Sequence, residues 1–163
     1  MKLSDKQQTV VNVLNKARSM ELYAIHQYMN QHYGLDDDDY GKLASEMKKI
    51  AIEEMKHAEA FAERIKDICG DLEPTTDQDG KVVKGQEVEE IYKFDADVEN
   101  DTLEKYNEFI RICRENDDIV SATLFEKIIN DEQQHFNYFD DTNTHIEKLA
   151  GSFLARMTGG SAD

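Results

Sequence analysis

The sequence predicts an all-α fold, a four-helix bundle with a long crossover between its second and third helices. Three observations lead there. Apolar residues recur at three- and four-residue steps through four long segments, the pattern of amphipathic helices. The composition suits helices, with 33% charged residues, 39% hydrophobic residues, one proline and no tryptophan. The breaks between the segments run short, long, short, so the second and third helices need not be antiparallel neighbours.

The first helix opens at Ser4, an N-cap that Gln7 completes as a capping box, and runs to about His32. Its inward stripe is Val10, Leu14, Ala17, Glu21, Ala24 and Tyr28. GLDDDDYG turns the chain into a second helix with Met47, Ile50 or Ala51, Glu54, His57 or Ala58, Phe61, Ile65 and Ile68 on one face. GDLEPTTDQDGKVVKG then stops the helix at Gly70, Pro74, Gly80 and Gly85. Helix resumes by about Asp95, with Glu99, Leu103, Tyr106, Ile110 and Cys113 in line. RENDD makes the next turn, and the fourth stripe is Leu124, Ile128, Glu132, His135 and Phe139. Gly151 is expected to cap that helix and SFLARM to form a short fifth one. Residues 1–157 thus read as one domain and 158–163 as a flexible tail. The long break could extend to about 80 Å, ample to run along a helix of about 45 Å.

A net charge of −16 disfavours a nucleic-acid partner and attracts cations, although acidic residues also simply keep a protein soluble. No apolar run is long enough for a membrane partner, and MKLSDKQQTVVNVLNK lacks a signal-peptide core, so a cytoplasmic location is expected. Cys69 and Cys113 are isolated and form no CxxC, which excludes a rubredoxin or zinc-ribbon module and argues against a disulfide framework.

Each inward stripe carries a glutamate. Glu21 to Glu54 and Glu99 to Glu132 span the same 33 residues, and each second glutamate is followed three positions later by a histidine, His57 and His135. The midpoint of each pair falls in a predicted turn, so the partners lie level across their hairpins. Residues i and i+3 of a helix are neighbours, so each Glu–His pair can serve one metal centre. A single ExxH is usually a surface pair; two, each matched to a glutamate on a partner helix, are far more specific. Four ionised carboxylates in an apolar core would cost several kcal/mol each if unpaired. Two divalent cations would balance them, with two neutral imidazoles completing the ligand set. Carboxylate and imidazole without thiolate favours Fe or Mn, with Zn a further occupant.

At these residues the chain resembles the bacterioferritins. MELYAIHQYMNQHY, EEMKHAEAFAERI and the spacing to INDEQQH carry the resemblance, which extends over residues 5–157. It implies a ferritin-like bundle with a catalytic ferroxidase centre of two Fe per subunit, held by Glu21, Glu54, His57, Glu99, Glu132 and His135, with Glu54 and Glu132 bridging. It implies two-fold dimers assembled into a 24-subunit shell that stores ferric mineral. The partners it implies are Fe(II), O2 or H2O2, and a small electron-transfer protein.

Met55 lies about 100° round the helix from Glu54, on a mixed face with Ile52, Glu59 and Ala62 that suits a subunit interface. By spacing alone it fills a gap in that interface. The family resemblance makes it an axial ligand to haem, one haem per dimer. Tyr28 matches a tyrosine near the family's metal centre, where electron donation and core packing are both open. The family's inner-surface iron site falls on Lys49 and Glu53 here, so that site is expected to be absent or altered. His26 and His32 are expected to be solvated. The rival enzyme is a rubrerythrin-like diiron peroxidase, which usually carries the cysteine module missing here. A Dps-type protector would place its site between subunits, and a helical interaction bundle would bind no stoichiometric iron.

Overall fold

Ser4 starts the first helix as its sequence predicts. Its hydroxyl accepts the Gln7 N–H while the Gln7 side chain accepts the Ser4 N–H. From that cap the computed structural model builds four helices: α1 (Asp5–Asp37), α2 (Gly41–Asp67), α3 (Val88–Glu115) and α4 (Ile119–Met157). It describes residues 2–74 and 81–160; the expected breaker Gly80 and tail residues 161–163 lie outside the described residues. α1 packs along α2 and α3 along α4, and the two hairpins meet through α1 against α3 and α2 against α4. This is the expected bundle with one crossover.

Two helix ends differ from the sequence reading. α1 continues past His32 to Asp37, through Gly34, because Leu35 extends the buried stripe and its burial outweighs the glycine penalty of about 1 kcal/mol. The same extension keeps His32 in line with Tyr28 and Leu35. His32 is therefore buried rather than solvated, with Nδ1 2.7 Å from the Ala44 carbonyl, which fixes α1 to α2. His26 is exposed, as expected. At the other boundary, α3 starts at Val88, well before Asp95. Glu87 and Glu90 cap each other's backbone there, and Val88, Ile91, Tyr92 and Asp95 are buried at helical spacing.

The expected fifth helix is joined to α4 across a break. The break falls on Ala150 (φ 41°, ψ −127°), one residue before the glycine expected to cap, and the last turns re-aim beyond it. Gly159 then donates its N–H to the Asp39 carbonyl at 2.7 Å, tying the described part of the tail to the α1–α2 turn. Gly41 allows this approach: a Cβ there would sit 2.7 Å from the carbonyl oxygens of Gly159 and Gly160.

Side chains of α1 strap the crossover in place. The Asn15 amide donates to the Asp71 carbonyl and accepts from the Glu73 N–H, and Gln27 does the same for both backbone groups of Val83. These bonds satisfy backbone groups that irregular chain lying on a helix would otherwise leave unpaired. The apolar core divides into two clusters. One contains Leu14, Phe61, Tyr106 and Phe125; the other contains Tyr28, Met47, Tyr92 and Phe139. Between them lies a polar layer.

Candidate metal centre

That layer contains the six side chains selected from the sequence, none more than 6% exposed. α1 supplies Glu21, α2 Glu54 and His57, α3 Glu99, and α4 Glu132 and His135. They converge as two overlapping sets. Glu21, Glu54, His57 and Glu132 form one; Glu54, Glu99, Glu132 and His135 form the other; within each set one ligand atom per residue lies within 4.8 Å of the rest. Glu54 and Glu132 belong to both.

The geometry shows why those two are shared. One Glu54 oxygen lies 3.1 Å from His57 Nδ1 and the other 2.8 Å from His135 Nδ1. Glu132 mirrors this, at 2.8 Å from His57 Nδ1 and 3.6 Å from His135 Nδ1. The imidazoles face each other with ring centroids 6.1 Å apart. Both present Nδ1 inward.

Charge is unevenly shared. Burial pushes the Glu21 and Glu99 carboxyls well above the usual carboxylate range, and the charges of Glu132 and Glu54 push the same way. Burial also acts to raise Glu54, but hydrogen bonds with Glu21, His135 and His57 outweigh it and hold this carboxyl below its ordinary value. For the histidines burial favours the neutral ring. Hydrogen bonds with Glu132 and the other carboxylates outweigh that effect, raising His57 far above its ordinary value and His135 to about 11. The metal-free centre therefore holds protons where cations would otherwise sit.

The donor set fits a pair of metal ions. Glu54 Oε1, Glu132 Oε1 and His135 Nδ1 are buried and lack an aligned hydrogen-bond partner despite their close neighbours. Such crowded, unsatisfied donor atoms in an apolar core are costly until something cationic joins them. Oxygen and imidazole donors without sulfur suit Fe, Mn or Zn.

Two tyrosines complete the inner surroundings. Tyr28 donates to Glu99 and Tyr106 to Glu21, each from the opposite hairpin. Burial and the adjacent carboxyl push both phenols well above their usual range, so they serve as donors. Tyr106 reads as ordinary core in the sequence, yet a signal for it exists. Glu99, Tyr106, Asp131, Glu132 and His135 each lie 78 residues after Glu21, Tyr28, Glu53, Glu54 and His57.

Outside the layer, Met55 is 55% exposed and Ile52 40%, on a face turned away from Glu54. Lys49 and Glu53 take separate partners: Lys49 pairs with Glu46 at 2.5 Å, and Glu53 reaches His135 Nε2 at 2.6 Å. No described helix is long and apolar enough to cross a membrane.

A four-helix bundle with one crossover and two ExxH helices sharing a carboxylate pair defines the class of dinuclear-metal carboxylate bundles. The ferritin-like domain profile matches residues 11–149. A bacterioferritin of Desulfovibrio desulfuricans is 57% identical over 155 residues, covering 95% of this chain and 86% of the relative. A Mycobacterium bovis bacterioferritin is 33% identical, covering 86% of this chain and 87% of its own. The solved structure of the Desulfovibrio desulfuricans bacterioferritin, described for its diiron site in different catalytic states, superposes with a TM-score of 0.94 at 53% identity, over 98% of this chain and 92% of that one. Mycobacterium tuberculosis bacterioferritin BfrA gives 0.87 at 30% identity, over 96% and 97%. The chain belongs to the bacterioferritins, within the ferritin-like family.

Proposed function

We propose that this protein oxidises Fe(II) to Fe(III) at the buried centre and stores the product as mineral inside a closed shell. The observation that carries the reading is the placing of Glu54 and Glu132, each facing both inward histidine nitrogens. Family membership and the diiron site described for the Desulfovibrio desulfuricans relative support it.

Iron, when bound, supplies the redox chemistry, each pair of Fe(II) ions giving two electrons to O2 or H2O2. The chain supplies the rest. Glu21 with His57, and Glu99 with His135, would hold one ion each, while Glu54 and Glu132 would serve both. Tyr28 and Tyr106 hold the terminal carboxyls in place through their hydroxyls. The clusters containing Phe61, Phe125 and Phe139 keep bulk water from both sides of the layer. A −16 chain concentrates Fe(II) by electrostatic attraction.

Met55 is the proposed haem ligand. Its exposed thioether, beside exposed Ile52, would hold a haem shared by two copies, each giving one sulfur. Twelve such dimers would form the 24-subunit shell the resemblance implies, working in the cytoplasm. A small electron-transfer protein would return electrons when iron is released.

Stopped-flow oxidation at two Fe(II) per subunit tests the centre. Glu54→Ala and His135→Ala are each expected to remove the rapid phase while leaving a folded, assembled protein. Unchanged initial rates in both variants would overturn the ligand assignment.

A further inference from the structure

Each inward-facing histidine has a second nitrogen. His135 Nε2 lies 2.6 Å from Glu53 Oε2, and His57 Nε2 lies 3.2 Å from Asp131 Oδ2. Both carboxylates are about half exposed, 51% and 53%, whereas the histidines are buried. The contacts are crossed. Glu53 on α2 precedes Glu54 and reaches the histidine of α4; Asp131 on α4 precedes Glu132 and reaches the histidine of α2.

A carboxylate can only accept, so the outer Nε2 carries a hydrogen, and Nδ1 is then the nitrogen that gives up its proton to present a lone pair when a metal ion binds. Each outer carboxylate thereby selects the tautomer that points a donor atom into the centre, fixes the ring plane and raises the basicity of the inward nitrogen. The two contacts are unequal. At 2.6 Å the Glu53–His135 pair lies just below the range of about 2.7–2.9 Å for a charge-assisted N–H bond, whereas the 3.2 Å of His57–Asp131 is at the far end of the normal range.

We infer that Glu53 and Asp131 are positioning residues for the two metal ions, and that their unequal contacts make the Glu99–His135 position bind its ion more tightly than the Glu21–His57 position. This rests on the two-metal reading of the centre. It assigns Glu53 to the histidine across the bundle rather than to a separate surface site. Because both outer carboxylates meet solvent, the orientation of each ring also depends on groups that a metal ion or a salt could engage from outside.

The test needs no turnover. Full-length protein stripped of metal is titrated anaerobically with Co(II), whose visible bands report both stoichiometry and coordination. Wild-type protein is expected to take up two Co(II) per chain in two resolved steps. Glu53→Ala should weaken the tighter step about 10- to 100-fold and leave the other in place. Asp131→Ala should weaken the looser step, by a smaller factor. Glu53→Gln keeps an acceptor oxygen and the side-chain volume but loses the charge, so its loss should fall between wild type and Glu53→Ala. A merely structural defect would move both steps together.

Two equal steps in wild-type protein, or Glu53→Ala and Asp131→Ala isotherms matching wild type, would overturn the inference while leaving the two-metal reading intact. Wild-type protein that binds no Co(II) would overturn the two-metal reading itself and this inference with it.

Discussion

Tyr106 donates its hydroxyl to Glu21 from 85 residues away in the chain, and so ties α3 to α1 at the level of the metal layer. With the matching Tyr28–Glu99 bond, it sets the separation of the two hairpins at the point where their donor atoms must meet. Phe61 and Phe125 both pack edge-on against the Tyr106 ring, so the ring stays in place if its hydroxyl is removed.

Tyr106→Phe should therefore keep the packing and lose one buried hydrogen bond to Glu21. The metal-free protein is expected to lose about 1–2 kcal/mol of stability, measured by urea unfolding. An unchanged midpoint would mean that Glu21 is satisfied by its other neighbours.

Metal uptake should release protons. Glu21, Glu99, His57 and His135 all have raised values, so the folded metal-free chain retains protons that the unfolded chain loses as pH rises. Two consequences carry the same sign. The stability these histidines add is complete below about pH 6.5 and disappears as pH rises toward the His135 value of about 11. The raised carboxyls make the metal-free fold lose stability over the range above the ordinary carboxylate value. Glu54 acts oppositely, its contribution vanishing as pH falls below that value. Calorimetric titration with Zn(II) in buffers of different ionisation enthalpy should show a net release of protons near neutrality, those of His57 and His135 among them. Metal-free melting temperature should fall between pH 6 and pH 9, and metal affinity should rise over the same interval.

Met55→Leu should expel haem with little change in packing, since the volumes match and the side chain lies on an exposed face. Purification after haem-replete expression, followed by a Soret spectrum, checks this. The expected stoichiometry in wild type is one haem per two chains, and rapid Fe(II) oxidation should survive the substitution. A full-intensity Soret band would assign the haem to another residue.

Ala150→Gly should stabilise the protein. Ala150 holds φ at 41°, a region that costs a side chain about 1–3 kcal/mol and glycine very little. After the entropy that glycine loses on folding, a net gain of about 1 kcal/mol is expected, read as a higher melting temperature. The break in α4 should persist.

The bundle and the meeting of its six polar side chains are legible in the sequence because helical periodicity and the paired 33-residue spacings are local counts that folding does not alter. The ends of helices are less so. Gly34 looks like a stop, and only the burial of Leu35 beyond it shows why the helix continues. The first turns of α3 hide behind Glu87, Glu89 and Glu90, although Val88, Ile91 and Tyr92 already keep helical register. The burial of His32 is hidden for the same reason, because its environment depends on how far α1 runs. In the sequence Asp131 looks like an ordinary solvated acid, and Glu53 reads only as part of an altered inner-surface site. Their value lies in a contact across the bundle that neither helix shows alone.

The 78-residue offset has a further consequence. Each hairpin carries a terminal glutamate, a tyrosine, an outer acid, a shared glutamate and a histidine, so either one alone holds half of a complete centre. Two copies of one hairpin, paired by an exact rotation, would be compelled to offer two identical cavities. Joining unlike hairpins through a single peptide chain removes that compulsion. Glutamate can stand at 53 and the shorter aspartate at 131, and the two histidines can be held by unequal contacts.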